Sequence, residues 1–229
     1  MITQQLFDVD KAFAAYINFL QCTHAEITKG DDSSPNSFFE FENALDQTEL
    51  AHMSVVELRK IPEVNILFEE KWLPDLIDLH ELIRLPEGTF GHIYASGMLA
   101  RGFDPNFFEK VVVDNDISYL KMLWRSTHDF YHVITGFDVD FVGEFALQAF
   151  MIAQSPIPIS VMAVSQGIFQ IALYSPQDLD RLMQEMSVAW DMGTQTTSKF
   201  MAQKWDHYLD QSLAEVRDQL GIPKRFQTP

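Results

Sequence analysis

The segment FVGEFALQAFMIAQ, residues 141–154, is apolar on almost every side. Asp140 stands just before it, in the place of a helix N-cap. A helix that is apolar all round has to lie inside a protein, wrapped by other elements. Upstream, residues 117–135 carry helical spacing and end at Gly136, which suits a helix C-cap. The turn GFDVD joins the two segments into a helical hairpin. No other feature constrains the fold as much, because the second helix needs neighbours on every side.

Helical periodicity supplies those neighbours almost everywhere. Helices are expected over residues 8–27, 38–45, 47–60, 62–71, 74–84 and 157–174. A turn followed by a helix fits residues 85–99. A long amphipathic helix is expected from Pro176 to Lys199, with a break near Gly193, and a last one from Trp205 to Ile222. Residues 28–37, around KGDDSSPNS, read as a flexible loop. No repeat, low-complexity tract or linker divides the chain. The expected fold is therefore all-α, a single multi-helix, bundle-like domain over residues 1–229.

Charge excludes one large class of function. The chain carries 33 acidic against 16 basic residues, a net charge of -17, and so lacks the basic footprint of a nucleic-acid binder. The same charge opposes attachment to anionic lipid, so any membrane contact has to be hydrophobic. Cys22 is the only cysteine, which rules out an internal disulfide and fits a reducing compartment. The N-terminal stretch carries Asp8 and Asp10 and reads as neither signal nor transit peptide. A cytoplasmic protein is expected, and the resemblance described below implies peripheral contact on the inner face of a membrane. The 19 Phe and 10 Met would suit an apolar lipid pocket as well as a large core.

The polar residues of the hairpin carry the chemistry. In HDFYH, His128 and His132 are four apart and Asp129 is three before His132, so all three share a helix face. Glu144 follows on the second helix, and the turn brings it back toward the pair. Gln148 shares its face, four residues on. Nitrogen and oxygen donors without a thiolate point to a reactive divalent metal site rather than a structural zinc. Asp129 is either a direct ligand or a residue that steers a histidine ring. The donor set leaves zinc, iron, manganese and magnesium open. Arg125, one turn before His128, would hold an anionic substrate or pair with Asp129. Compared with the zinc hydrolase motif HExxH, Asp129 replaces the glutamate base and reaches less far. A His-Asp phosphohydrolase would need a further upstream histidine, such as His80 or His92, and a later aspartate.

Together these residues resemble the coenzyme Q (ubiquinone) biosynthesis protein 4 family. The signature HDxxH-x11-E is matched by His128, Asp129, His132 and Glu144. LPEGTFGHIYASGM resembles the family's LPxGTLGxxYxxFM stretch, with Phe90 in place of the usual leucine and Gly97 in place of a larger residue. Trp190 to Gly193 and the closing helix are similar to the family's C-terminal W-x-x-G and last helix. The likeness spans residues 75–222, and without a visible presequence it suggests a bacterial member.

The resemblance implies an all-helical, peripheral membrane protein of ubiquinone synthesis, with a metal near a pocket for a polyprenyl tail. It implies oxidative removal of the ring carboxyl of a prenylated benzoate, which leaves a hydroxyl. His128, His132 and Glu144 would be ligands, Asp129 a fourth ligand or base, and Arg125 the holder of the anionic head. Tyr94 and Met98 are candidates for the tail channel. A polyprenyl lipid or prenylated quinone precursor is the expected ligand, and other quinone-synthesis enzymes are expected partners. A homodimer is expected because so apolar a surface must be covered. The alternatives are a non-catalytic prenyl-lipid scaffold and a metal-dependent phosphohydrolase.

Overall fold

In a computed structural model of the chain, which describes residues 9–20, 35–106, 111–155 and 157–226, the apolar segment is a helix of the expected extent. This helix, α8 (Phe141–Gln154), follows α7 (Asp116–Thr135) in the expected hairpin. Before them come α1 (Val9–Leu20), α2 (Pro35–Leu45), α3 (Glu49–Arg59), α4 (Pro62–Glu70), the single turn α5 (Leu79–Leu82) and α6 (Phe90–Arg101). After them come α9 (Pro158–Tyr174), α10 (Leu179–Gln195) and α11 (Leu213–Gln219). The described residues form no strand; Thr89 and Ser212 make an isolated bridge.

α8 is wrapped as its composition requires. It packs most closely along α10, then against α9, while α7 lies across from its start. Ala146, Leu147, Phe150 and Met151 are fully buried. The main core continues through Phe90, Phe130, Tyr131 and Phe200 around Trp205, which is 0% exposed. Burying large aromatic rings of this kind contributes most of the favourable free energy of a small domain.

Four expected helix boundaries are corrected. Residues 74–78 are not helical: Asp78 caps the short α5 by accepting from the His80 and Glu81 amides, and Tyr119 donates to the Trp72 carbonyl just upstream. α10 starts at Leu179 after a 3-10 turn, runs unbroken through Gly193 and ends at Gln195. The expected last helix is split. Residues 209–212 leave helical geometry because the Leu209 and Gln211 carbonyls accept from Gly91 and Phe90 at the start of α6. Ser212 then restarts the chain as α11 in a capping box with Glu215. The C-terminal part of the first expected helix and most of the expected loop 28–37 lie outside the described residues; Pro35 already begins α2.

Candidate metal centre

The hairpin that carries the site is specified locally. Asn115 and Ser118 close a capping box at the start of α7, and Gly136 ends it at φ 82°, where an L side chain would be strained. Asp140 caps α8 by accepting from the Gly143 amide at 2.8 Å, and Arg181 donates to its other oxygen at 2.6 Å. The turn is tight enough that a Cβ on Gly143 would lie 2.1 Å from the Asp138 carbonyl oxygen. Glu144 falls in the first turn of α8, where the helix dipole favours a carboxylate.

This geometry brings three side chains together. Glu144 Oε1 lies 3.2 Å from His132 Nε2, and its Oε2 lies 3.4 Å from His128 Nε2. One ligand atom from each of the three fits within 4.8 Å of the others. Both Nε2 atoms are buried and short of hydrogen-bond alignment with any partner. Such atoms are costly to bury unless something else takes their lone pairs. The far side of His132 is fixed, because its Nδ1 lies 3.0 Å from the Phe137 carbonyl in the turn. With the proton on Nδ1, Nε2 presents its lone pair to Glu144, the usual arrangement of a metal-ligating histidine. Two imidazole nitrogens and a carboxylate fit zinc, iron or manganese, with positions left for a ligand.

Asp129 takes a different place. Its Oδ1 lies 3.6 Å from His128 Nδ1, on the opposite side of that ring from Glu144, and its side chain is 37% exposed. That separation exceeds a hydrogen bond and suits a carboxylate that steers the ring from outside. Trp124 stacks on the same ring, centroids 4.9 Å apart and planes at 25°.

The titration behaviour follows the geometry. Burial lowers the His132 pKa, but the charge of Glu144, contact with it and the Phe137 carbonyl outweigh that and lift it to about 8. Burial wins at His128 and holds it below its ordinary value, against the charges of Asp129 and Glu144. Burial raises Asp129, opposed by the two histidines, and its partial exposure tempers the push.

The other sequence candidates lie elsewhere. Arg125 is turned to α2: it pairs with Glu42 and lies over the Phe39 ring at 4.8 Å, so the expected partnership with Asp129 is replaced. Lys121, one turn earlier, pairs with Asp46 and donates to Asn43 at 2.8 Å. Burial raises Glu42, against the opposing pull of Arg125 and Lys121. Tyr94 and Met98 are core residues, 2% and 7% exposed, with the Tyr94 ring 4.7 Å from Phe130. A cavity of about 50 Å³ is bordered by Trp124, Leu120, Lys121 and residues 157–159. Tyr94 and Met98 do not border it. His92 is held by the Ile83 and Leu85 carbonyls, each 3.0 Å from Nδ1, as part of the α6 start. Glu144 keeps 24% of its side chain exposed, although the helix that carries it is wrapped by neighbours. Sequence reasoning missed Trp124 and the Phe137 carbonyl; the i,i+4 spacing of Trp124 and His128 was the available signal for the first.

Comparison with known proteins adds an independent line. The sequence model described as coenzyme Q (ubiquinone) biosynthesis protein Coq4 matches residues 59–225. The chain is 29% identical over 153 residues to the mitochondrial ubiquinone biosynthesis protein coq4 of Aspergillus niger, covering 66% of this chain and 51% of that protein. It is 30% identical over 149 residues to the Laccaria bicolor counterpart, also named mitochondrial, covering 64% and 49%. The chain thus spans about half the length of these curated relatives. A crystal structure from the bacterium Nostoc punctiforme PCC 73102, provisionally described as a ubiquinone biosynthesis protein, superposes with a TM-score of 0.85. It is 49% identical and is covered in full, against 95% of this chain.

Proposed function

The chain belongs to the coenzyme Q (ubiquinone) biosynthesis protein Coq4 family, and on that premise we propose that it serves the synthesis of ubiquinone or a related prenylated quinone by oxidatively decarboxylating a prenylated benzoate at a metal held by His128, His132 and Glu144. The observation that supports this most directly is the pair of buried Nε2 atoms facing one carboxylate without hydrogen-bond partners. A divalent ion bound there supplies Lewis acidity to a ligand carboxylate.

The chain's own residues do the rest. The Phe137 carbonyl holds the His132 proton at Nδ1, and Asp129 stands beside Nδ1 of His128 to orient that ring. Trp124 covers the His128 face and excludes water from it. Loss of the ring carboxyl as carbon dioxide and gain of a hydroxyl is a two-electron oxidation; with water as the source of the hydroxyl oxygen, dioxygen would take up the two electrons and two protons and leave as hydrogen peroxide. Arg125 is engaged by Glu42 of α2.

No described helix is long and apolar enough to cross a membrane. Peripheral contact is assigned to the outer stripe of α9, where Val161, Ile168, Phe169 and Leu173 are exposed and no residue of the helix is charged. Such a contact would be hydrophobic, in keeping with the net charge of -17.

The test is aerobic incubation of metal-loaded protein with a short-chain prenylated 4-hydroxybenzoate, run beside His132→Ala. Release of carbon dioxide with a new ring hydroxyl, lost in the variant, is the expected result. Binding without product would replace the enzyme with a lipid-presenting scaffold. No binding and no metal in folded protein would end both readings.

A further inference from the structure

α7 is closed at its C-terminal end by a side chain from far along the sequence. Arg217 lies on α11 and is 6% exposed. Its Nε donates to the Ile134 carbonyl at 2.8 Å, and its Nη2 donates to the Val133 carbonyl at 3.3 Å. Both belong to the last four carbonyls of α7, which a helix leaves without an amide partner of its own. A third, that of His132, accepts from the Gly136 amide at 2.8 Å. Arg217 thus grips the two residues that directly follow the candidate ligand His132. Only Thr135 and Gly136 separate that grip from Phe137, whose carbonyl lies 3.0 Å from His132 Nδ1.

The residue type suits the task. A guanidinium is planar and holds its donors in a rigid fork, so it can fix two successive carbonyls in one orientation. The negative end of the α7 dipole lies at the same place and favours a cation. Burial of a charge is costly unless it is bonded, and a leucine would fill the space without that cost. α11 is itself held firmly. Ser212 and Glu215 close its capping box, the Leu213 amide donates to the Gly88 carbonyl at 3.0 Å, and Val216 and Leu220 are buried in the core. The grip is therefore mounted on a fixed element. Gly136 then turns the chain at φ 82° toward Phe137. Without the guanidinium, the Val133 and Ile134 carbonyls would lose this donor. The last turn would open to recover another, and Phe137 would move away from His132 with it.

We propose that Arg217 is a positioning residue of the metal centre, which holds the Val133 and Ile134 carbonyls and so keeps the Phe137 carbonyl against His132 Nδ1. With an ion at Nε2, the ring proton has to sit on Nδ1, and the Phe137 carbonyl is the group that accepts it. Arg217 acts through the turn rather than on the ion.

This inference rests on the metal reading above, and the experiment separates the two. The probe is zinc, titrated into metal-free protein in competition with a chromophoric chelator. Arg217→Met should weaken zinc binding about tenfold, the lower end for residues that orient a metal ligand. In zinc-loaded wild type the His132 Nδ1 proton should resonate far downfield, as a hydrogen-bonded imidazole proton does, and Arg217→Met should shift or broaden it. Arg217→Lys keeps the charge and a donor without the fork. It should fall between the two, and it carries the test if the first variant does not fold. Val216→Ala loosens the core face of the same helix and is the control, with zinc affinity expected within about twofold of wild type. Unchanged zinc affinity and an unmoved Nδ1 proton in folded Arg217→Met, or in Arg217→Lys where that alone folds, would overturn the inference and leave the metal reading standing. An equal loss in Val216→Ala would overturn it too, because docking of α11 rather than the guanidinium would then set the site. Failure of wild type to bind zinc would remove both.

Discussion

α7 carries two buried polar clusters a turn apart, and they are built on opposite principles. Toward its N-terminal half, Lys121 and Arg125 meet Asp46 and Glu42 of α2, cation against anion, with Asn43 taking a further donor. Toward its C-terminal half, His128 and His132 face one carboxylate, and two ring nitrogens are left without hydrogen bonds. In the first cluster each cation meets an opposite charge within the chain, which ties α2 to α7. In the second, either a proton on His132 or a bound cation would balance the shared carboxylate. Burial is similar in the two, so burial of charge alone does not mark a site; two imidazole nitrogens converging on one carboxylate do.

The comparison breaks most sharply under paired substitutions. Arg125→Ala leaves Glu42 buried with its charge poorly matched and should cost about 3–5 kcal/mol of stability in denaturant unfolding. Metal content per folded chain should not change. His132→Ala should do the reverse: metal measured by elemental analysis falls from about one per chain to none, while at pH 9, where the His132 proton no longer contributes, the unfolding midpoint of metal-free protein moves less than in Arg125→Ala. If both variants lose metal and stability together, the two clusters are one unit and the contrast fails.

Smaller effects sharpen it. Asp129→Asn keeps the shape of the steering carboxylate and removes its charge, so metal affinity should fall about 10–100-fold in competition titrations, without loss of fold. The pH dependence of metal-free protein isolates the proton that stands in for the ion. His132 titrates at about 8 when folded, above the ~6.5 of the unfolded chain. Its stabilisation is fully present below pH ~6.5 and fades as pH rises through 8, on the order of 2 kcal/mol in all. His128, held low, acts oppositely and removes stability as pH falls below ~6.5. Urea melts across pH 5.5–9 should therefore peak near 6.5, and Glu144→Gln should flatten the alkaline side. Metal should bind more tightly as pH rises through 8, because protons compete for the same nitrogen. Asp140→Ala, which removes the cap just before Glu144, should cost about 1 kcal/mol and leave the Lys121 and Arg125 pairs intact.

How far each cluster could be read in advance follows the distance along the chain between its members. His128, His132 and Glu144 lie within one hairpin, and its ends are set by residues next to them: Asn115, Gly136 and Asp140. The i,i+4 spacing and the short turn leave little freedom, so the sequence by itself determined both helices and the meeting of the three side chains. The same local rule offered Asp129 as one partner for Arg125, beside an anionic substrate, and Glu42 takes the place of Asp129. Glu42 is 83 residues away and offers a buried, pairable carboxylate that a more exposed Asp129 cannot match.

The tertiary structure decided the remainder for the same reason. Asp129 was a candidate ligand by spacing, but the ring orientation set by Glu144 on the other helix leaves it at Nδ1. The C-terminal segment is periodic enough for one helix, yet carbonyls at Leu209 and Gln211 are worth more to the amides of Gly91 and Phe90 than to their own turn. Local chemistry closes helices over a few residues, where the chain has little entropy to lose. Which buried charge meets which partner, and which nitrogen stays unmet, depends on elements brought together from far along the chain, and only packing settles that.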